Sequence, residues 1–426
     1  MSVMEKPSGK SVFIWNILGS ACNALSSMLL LVFVNRILGT AAGDTFSIGF
    51  SIATLMASIG LFQVRVYQST DVTNRFSFGD YFALRIVTCA LMLAVSVLYL
   101  LRRGYGADKY LIALMLCGYK LVDAFSDVFQ GLFQQKEHLD ISGKAIVWRI
   151  LISNGGFFLA LVLSKSLSVS AGVLLAGSVL AVLIYDVPQY RRFSRTFEDS
   201  KLAKPLFNLS QLRLLITICF PLFLNAYLMN AVYNQPKLAI DTAIETGVLG
   251  QGLQSYYNIL FMPASVINLF LIVFRPLLTT LAHHYVDRDF GSFNRILLRI
   301  IAGLFGFGLL ALAAAAFLGI PVLSLVYGTG EGLAPYRPEL LLLIAGGGLN
   351  SIANMLDNAV TIIRRQQYLL ISYALSALSA MFLAKRFVLA YGLRGAVYTY
   401  LVSIVILLAG NAVIYRVSMR KMQKEK

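Results

Sequence analysis

The feature of this 426-residue sequence that most constrains its fold is a series of long apolar runs with few or no charges. They include Leu91–Leu101, Ile150–Leu163, Leu297–Leu318 and Val397–Val413. A hydrocarbon core about 30 Å thick is crossed by roughly 20 such residues in a helix. Because lipid offers the backbone no hydrogen bonds, only helices or closed barrels span it. Barrel strands would alternate over about ten residues, and these runs are continuous, which favours helices.

Composition agrees with a lipid-facing chain: 58% of the residues are hydrophobic and 13% are charged, against roughly a quarter charged in soluble domains. The sequence therefore predicts an all-α integral membrane protein with about twelve transmembrane helices. The predicted spans are 13–34, 45–64, 81–101, 110–130, 145–164, 168–187, 214–234, 253–274, 296–318, 339–362, 368–384 and 395–415.

The distribution of Lys and Arg predicts the orientation, because these residues accumulate in cytoplasmic loops. With the N-terminus inside, 25 of the 36 basic residues fall on the cytoplasmic side. An even number of spans returns the C-terminus to the same side, so both termini are predicted to be cytoplasmic. This bias explains much of the net charge of +16, and no nucleic-acid partner is predicted.

The longest linker divides the spans equally and carries six basic residues. We predict an N-terminal six-helix lobe (1–187), a basic cytoplasmic linker (188–213), a C-terminal six-helix lobe (214–415) and a basic cytoplasmic tail (416–426). The linker is either a hinge on the anionic inner leaflet or an ordinary positive-inside loop. Equal halves indicate an internal duplication, as in many transporters.

Enzyme chemistry is not indicated by any motif in the sequence. There is no Walker A loop, GxSxG elbow or HExxH helix, and no loop is long enough to form a nucleotide-binding domain. The four cysteines lie in apolar segments without metal-ligand spacing. No catalytic residue, cofactor or metal site is predicted.

Basic residues occur at corresponding positions of the two halves. Arg36 and Lys237 end the first and seventh spans, and Arg65 and Arg275 end the second and eighth. One interpretation is a cavity with cationic walls that holds a phosphate or pyrophosphate group, which suits the donors of arginine. The alternative is that all four side chains extend from helix ends to the membrane interface.

Polar residues form stripes on the first and seventh spans. Asn16 and Asn23 lie on one face of the first span together with serines, and Asn225 and Asn230 lie in the seventh. Polar groups in hydrocarbon are costly and normally face a cavity. We therefore predict that these four asparagines line a cavity.

The fourth span carries Lys120, Asp123 and Asp127 at three- and four-residue steps, followed by Gln130 and Gln134. A lysine and an aspartate at i,i+3 offset part of the desolvation cost of each other. The group is interpreted either as an ion-coupling or gating site or as a structural ion pair. Asp357, in a polar stripe of the tenth span, is a further candidate for coupling or gating.

Several short motifs, in their order along the chain, resemble those of polysaccharide and O-antigen flippases (Wzx-like transporters) of the multidrug/oligosaccharidyl-lipid/polysaccharide (MOP) exporter superfamily. The matching segments are Asn35–Gly39 with Gly43, Val66–Asp71, Ser126–Gly131 with Gln134 and Lys136, Pro321–Leu323 with Val326–Gly328, and Tyr391–Ala396. The likeness extends over nearly the whole chain, and each motif alone is short and degenerate.

The resemblance implies a MATE-like fold of two pseudo-symmetric six-helix bundles around a central cavity. It implies transport of an undecaprenyl-pyrophosphate-linked oligosaccharide across the bacterial cytoplasmic membrane by alternating access, for O-antigen, capsule or exopolysaccharide synthesis. The expected partners are this lipid-linked sugar, membrane lipids, a polysaccharide polymerase and a chain-length regulator, and the protein is expected to be a monomer. Basic cavity residues of the family correspond here to Arg36, Arg65, Lys237 and Arg275.

Two other functions are compatible with such a chain. A cation-coupled multidrug (MATE-type) antiporter would need cavity carboxylates, and the basic candidates outnumber Asp123, Asp127 and Asp357. A membrane polysaccharide polymerase usually has a large outside loop, and the longest outside segment here is near Gly319–Pro338. Twelve spans also differ from the fourteen of lipid II flippases.

Overall fold

A computed structural model describes residues 8–71, 74–196, 204–267, 271 and 274–424. Within these ranges the chain forms helices joined by short turns and contains no β-strand. The first half contains α1 Gly9–Leu38, α2 Thr40–Leu61, α3 Val64–Gln68, α4 Phe78–Arg103, α5 Ala107–Gln135, α6 Leu139–Ser164, α7 Leu167–Ala181 and α8 Val187–Thr196. A π-helical turn, Val182–Asp186, joins α7 to α8.

The second half repeats this helical character. It contains α9 Leu209–Glu245, α10 Leu253–Ile267, α11 Arg275–Val286, α12 Phe290–Ala314, α13 Ile320–Tyr327, α14 Arg337–Ile362, α15 Leu369–Tyr391 and α16 Leu393–Lys424. A second π-helical turn, Ala315–Gly319, joins α12 to α13. Short 3₁₀ segments precede α14 and α15.

The chain divides into two compact units, Met1–Tyr227 and Leu228–Lys426, called here the N-terminal and C-terminal units. The division falls inside α9. The predicted lobe boundaries at the basic linker stay a prediction, and residues 197–203 of that linker lie outside the described residues.

Ten helical segments in the described part of the chain are long and apolar enough to cross a membrane. They are Gly9–Leu38, Thr40–Leu61, Phe78–Arg103, Leu139–Ser164, Leu167–Phe193, Leu209–Glu245, Phe290–Tyr327, Gly330–Ile362, Gln366–Tyr391 and Leu393–Met422. Each contains or largely overlaps one predicted span. The predicted multi-pass, all-helical class is therefore confirmed.

The other two predicted spans correspond to α5 and α10. Helix α5 has 29 residues but carries Lys120, Asp123 and Asp127 in its middle. Helix α10 is described over 15 residues, Leu253–Ile267. The remainder of the predicted eighth span, beyond Ile267, lies mostly outside the described residues.

The outer surfaces of the helices are strongly apolar. Leu163 is 83% exposed, Leu209 81% and Phe317 78%. Exposing such side chains to water costs about 25 cal/mol per Å², whereas lipid tails are as apolar as the side chains. The exposed leucines and phenylalanines therefore fit a protein whose solvent is a bilayer.

Small residues allow α1 and α6 to pack closely. A Cβ built on Gly143 would lie 2.2 Å from the carbonyl oxygen of Trp15, and one on Gly19 would lie 3.1 Å from the carbonyl oxygen of Gly143. The two helices also exchange hydrogen bonds between Ser26 and Asn154. Close backbone approach at small residues, reinforced by polar contacts, is a common way for membrane helices to associate.

We expect Gly143→Ala to destabilise the N-terminal unit by about 1 to 3 kcal/mol or more, the usual cost of overpacking. The added methyl group meets the backbone of α1, which cannot rotate away. Gly155→Ala on the same helix is the control, because a Cβ there meets nothing within 4 Å. Thermal unfolding of both purified variants measures the difference. Equal melting temperatures would show that α1 and α6 do not pack as described.

Candidate functional site

Arg65 lies in the short helix α3, which a backbone break separates from α2. Phe62 and Gln63 at this break have φ angles of 42° and 52°, in the left-handed region that residues other than glycine rarely adopt. Two successive left-handed residues redirect the chain. The break therefore sets the direction in which the Arg65 side chain extends.

The Arg65 guanidinium meets the polar stripe of α5 and one serine of α6. Its Nε donates to Gln134 Oε1 at 3.1 Å, and its Nη1 donates to Gln130 Oε1 at 2.7 Å. Nη1 also contacts Asp127 Oδ1 at 3.3 Å, and Nη2 donates to Ser142 Oγ at 3.3 Å. Four of its five N–H donors are thus engaged, and the side chain is 26% exposed.

Arg85 occupies the other side of Asp127 and is completely buried. Its Nη2 contacts Asp127 Oδ2 at 2.8 Å, and its Nη1 donates to the carbonyl oxygens of Gly60 and Leu61. The last carbonyls of a helix have no partner inside it. Arg85 therefore caps α2 at the break before α3 while it neutralises Asp127.

Asp123, one turn earlier on α5, also lies between two cations. Lys120 Nζ is 2.8 Å from its Oδ2, and Arg149 Nη2 from α6 is 2.9 Å from its Oδ1. The Lys120 ammonium additionally lies 5.1 Å from the centre of the Phe50 ring. The remaining nitrogens of Arg149, Nε and Nη1, are buried and find no hydrogen-bond partner in the described part of the chain.

Asp186, in the π-helical turn after α7, joins the same cluster through Ser126. The Ser126 hydroxyl donates to Asp186 Oδ2 and accepts from Gln130 Nε2 at 3.1 Å. Gln130 in turn accepts from Arg65. One continuous chain of hydrogen bonds therefore connects α3, α5 and the π-helical turn.

We call this cluster the α5 ionic network. Its charged members are Arg65, Arg85, Lys120, Asp123, Asp127, Arg149 and Asp186. Four cations face three carboxylates, so the network carries one excess positive charge when every group is ionised. A buried excess of positive charge attracts anions and repels cations.

Lys237 is the predicted basic residue in the C-terminal unit whose surroundings the structure describes. It is half-buried in α9, and its Nζ lies 5.0 Å from the centre of the Phe261 ring. Among the described residues no carboxylate lies within ion-pair distance of this ammonium. An ammonium on an aromatic face keeps all three donors, so Lys237 can hold an anion without first losing another partner.

Nearby polar groups of the C-terminal unit are paired with tyrosines. The Asn350 side-chain amide donates to Tyr233 Oη at 2.9 Å. Tyr373 Oη donates to Asp357 Oδ2 at 2.6 Å. Asp357 therefore has a neutral hydrogen-bond donor where Asp123 and Asp127 have cations.

The other predicted site residues are distributed along α1 and α9. Arg36 lies in the last turn of α1 and is exposed, as are Asn16 and Asn23 earlier in that helix. Asn225 and Asn230 are half-buried in α9, and the Asn225 side-chain oxygen is buried without a hydrogen-bond partner in the described chain. Their assignment to a cavity stays a prediction.

Arg275 begins α11, and its side chain lies outside the described residues. Its place along the chain nevertheless matches that of Arg65. Arg65 lies near the start of α3, which follows α2, and Arg275 begins α11, which follows α10. Each half therefore has a helix, α2 or α10, followed by a second helix with a basic residue at or near its start.

Three members of the α5 ionic network were not among the predicted site residues: Arg85, Arg149 and Asp186. Each lies inside a predicted span. The rule that charges in hydrocarbon are functional or paired would have identified them. The two arginines were instead counted among the cytoplasmic basic residues that set the orientation.

No protein-family model and no curated protein sequence matches this chain. Solved structures do match it. A multidrug resistance MATE family transporter of the MOP superfamily, in its inward-facing conformation, superposes with a TM-score of 0.68 at 14% identity, over 96% of this chain and 98% of that chain. The lipid II flippase MurJ, inward closed, gives 0.66 at 14% identity, over 93% and 86%.

The Vibrio cholerae MATE transporter VcmN, in the bent form, superposes with a TM-score of 0.58 at 13% identity, over 97% of each chain. These matches extend over nearly the entire chain. At this low identity they establish a shared architecture. The chain therefore has the all-helical fold of MATE transporters and of MurJ, as the sequence predicted.

Proposed function

We propose that this protein is a flippase that carries a polyprenyl-pyrophosphate-linked oligosaccharide across the bacterial cytoplasmic membrane by alternating access. The product would serve the synthesis of a surface polysaccharide, with a polymerase and a chain-length regulator as later partners. In this proposal both termini are cytoplasmic. The shared fold with a MOP-superfamily transporter and with MurJ supports a transport function, and the charges in the helices support the choice of passenger.

The observation that carries the proposal is the sign of the buried charge. Asp123 and Asp127 are each neutralised by two cations, and the α5 ionic network retains an excess positive charge. Lys237 adds a cation with no acidic partner in the described chain. A pyrophosphate passenger needs positive contacts, whereas a cationic drug needs free carboxylates.

The predicted basic residues differ in how readily they can contact a phosphate. Lys237 has its donors available. Arg65 has one unused N–H and would have to leave Gln134 or Ser142 to form a two-pronged contact. Arg36 and Arg275 complete the proposed set through their positions in the sequence. We therefore assign the leading role in binding to Lys237.

Lys120, Asp123 and Asp127 are proposed to gate rather than to bind. Their partners come from α3, α4 and α6, so a change of partner would move these helices relative to α5. Breaking such a pair leaves a buried charge uncompensated, which favours two discrete arrangements. A passenger anion could switch the protein from one arrangement to the other by replacing the Asp127 carboxylate as the partner of Arg65.

The test is deletion of the gene in its native host. We expect lipid-linked repeat units to accumulate on the cytoplasmic face of the membrane, with loss of the surface polysaccharide, and the wild-type gene to restore both. Protection of the sugar from a membrane-impermeant glycosidase reports the leaflet. Repeat units that still reach the outer leaflet, in a strain with no second flippase, would exclude the proposal.

A cation-coupled multidrug antiporter is the second candidate, and Asp357 is the observation that favours it. This carboxylate is bonded to Tyr373 and, among the residues that the structure describes, to no cation, so it is the group on α14 that could take up a proton or a sodium ion. Increased drug sensitivity of the deletion strain, corrected by the wild-type gene but not by the gene carrying Asp357→Asn, would support this alternative.

A further inference from the structure

The C-terminal unit contains a cavity of about 490 Å³ where α11 and α14 end. Ligand pockets commonly have volumes of about 300 to 1,000 Å³. The cavity is lined by Tyr285, Val286, Arg288, Phe290, Ile363, Arg364, Arg365 and Met422. Three of these eight residues are arginines, and none belongs to the proposed transport site.

Two helix ends of the same construction form the walls of the cavity. Arg288 after α11 and Arg364 after α14 have φ angles of 55° and 59°. The following amides bond back to the helices, from Asp289 N to His284 O at 2.9 Å and from Arg365 N to Val360 O at 3.0 Å. This helix ending normally has glycine at the left-handed position. Arginine is conformationally unfavourable at both positions.

Packing holds the two walls together. Tyr285 Oη donates to the carbonyl oxygen of Ile363 at 3.5 Å, and both residues pack in a hydrophobic cluster with Phe290. Met422 of α16 belongs to the same cluster. Tyr285, Phe290, Ile363 and Met422 therefore form an apolar floor of the cavity, held together by contacts within the protein.

The charge of the cavity is positive. The side chains of Arg364 and Arg365 make no hydrogen bond or ion pair with any described residue. Asp289 is engaged, because it accepts from Ser292 N at the start of α12 and lies 3.5 Å from His284 Nδ1. The guanidinium donors of Arg364 and Arg365 are thus left for an external acceptor.

We propose that this cavity binds a phosphate-bearing anion. Arginine is suited to phosphate because its planar group can donate two parallel hydrogen bonds. The cavity lies at the ends of membrane helices, on the side that the predicted orientation places in the cytoplasm, where anionic lipids concentrate. Basic pockets between membrane helices on that side bind lipid headgroups, and the apolar floor suits an adjoining acyl chain. The proposal does not depend on the proposed function.

The test uses the full-length protein purified in a neutral detergent and an Arg364→Gly/Arg365→Ala double variant. Native mass spectrometry measures occupancy by phosphatidylglycerol and by phosphatidylcholine, and thermal unfolding measures stabilisation by inorganic phosphate at constant ionic strength. We expect the double variant to bind phosphatidylglycerol at least about tenfold more weakly, the loss of one charge-assisted contact. Glycine suits the left-handed backbone at 364, so the variant should keep its melting temperature.

Lys165→Gly is the matched control. Lys165 follows α6 with a φ angle of 48°, so this variant removes one positive charge from the same left-handed backbone conformation in the N-terminal unit. It should bind phosphatidylglycerol as the wild type does. If inorganic phosphate alone stabilises the wild type but not the double variant, the ligand is a free phosphate; binding of phosphatidylglycerol only identifies a lipid headgroup. The proposal would be overturned if the double variant binds both phosphatidylglycerol and inorganic phosphate as the wild type does. It would also be overturned if the double variant loses phosphatidylcholine binding to the same extent as phosphatidylglycerol binding.

Discussion

The Asp127→Asn variant is expected to lose about 3 to 5 kcal/mol of stability, the usual cost of removing one partner from a buried ion pair. Arg85 is completely buried and would keep its charge without a counterion, and Arg65 would lose its only carboxylate in the described chain. The amide group of asparagine would also direct donors at one of these two guanidinium groups, which carry donors only.

Thermal and denaturant unfolding of the purified protein measure this loss. Asp108→Asn is the control, because it makes the same substitution on the same helix at an exposed position in the first turn. That change should cost less than about 1 kcal/mol, the effect of a carboxylate near a helix N-terminus. Similar losses at positions 108 and 127 would contradict the account of Asp127 as the counterion shared by two arginines.

The Lys237→Ala variant is expected to lose transport without losing stability. A hydrogen bond to a charged group contributes about 1.5 to 3 kcal/mol, and each 1.4 kcal/mol is about tenfold in affinity. Transport at low substrate concentration should therefore fall about 10- to 100-fold. Since the ammonium is partly desolvated beside Phe261 and has no acidic partner in the described ranges, its removal should leave the melting temperature unchanged or raise it.

The combination of lower transport and undiminished stability distinguishes a binding role from a structural one. Lys237→Arg should retain part of the activity, because it keeps the charge. Lys385→Ala, at an exposed position of α15, removes a lysine from the same unit and should leave transport unchanged. Full activity of Lys237→Ala would return this residue to the group of helix-end cations that only contact the interface.

The positions of most helices could be predicted from the sequence, because a long apolar run in lipid can satisfy its backbone hydrogen bonds only as a helix or in a closed barrel. Helix α5 is the exception, and it has a physical reason. The charges in the middle of α5 are neutralised by Arg65, Arg85 and Arg149 from three other helices, and one helix cannot reveal partners that lie elsewhere in the chain.

The α5 stripe was predicted in part. The spacing of Lys120, Asp123 and Asp127 indicated one face and one ion pair, and the pair of Lys120 with Asp123 is confirmed. The contact between Arg65 and this stripe depends on two left-handed residues, Phe62 and Gln63, neither of which is a glycine. Nothing in the local sequence indicates such a break, so the contact was not predictable.

The most direct test of the central claim is transport by the purified protein in proteoliposomes, with two lipid-linked sugars that differ only in the linkage. A passenger recognised by buried cations should be carried when the oligosaccharide is attached through pyrophosphate and not when it is attached to the neutral polyprenol. Equal rates for the two lipids, or uptake of an organic cation in place of either, would contradict an anion-binding transporter.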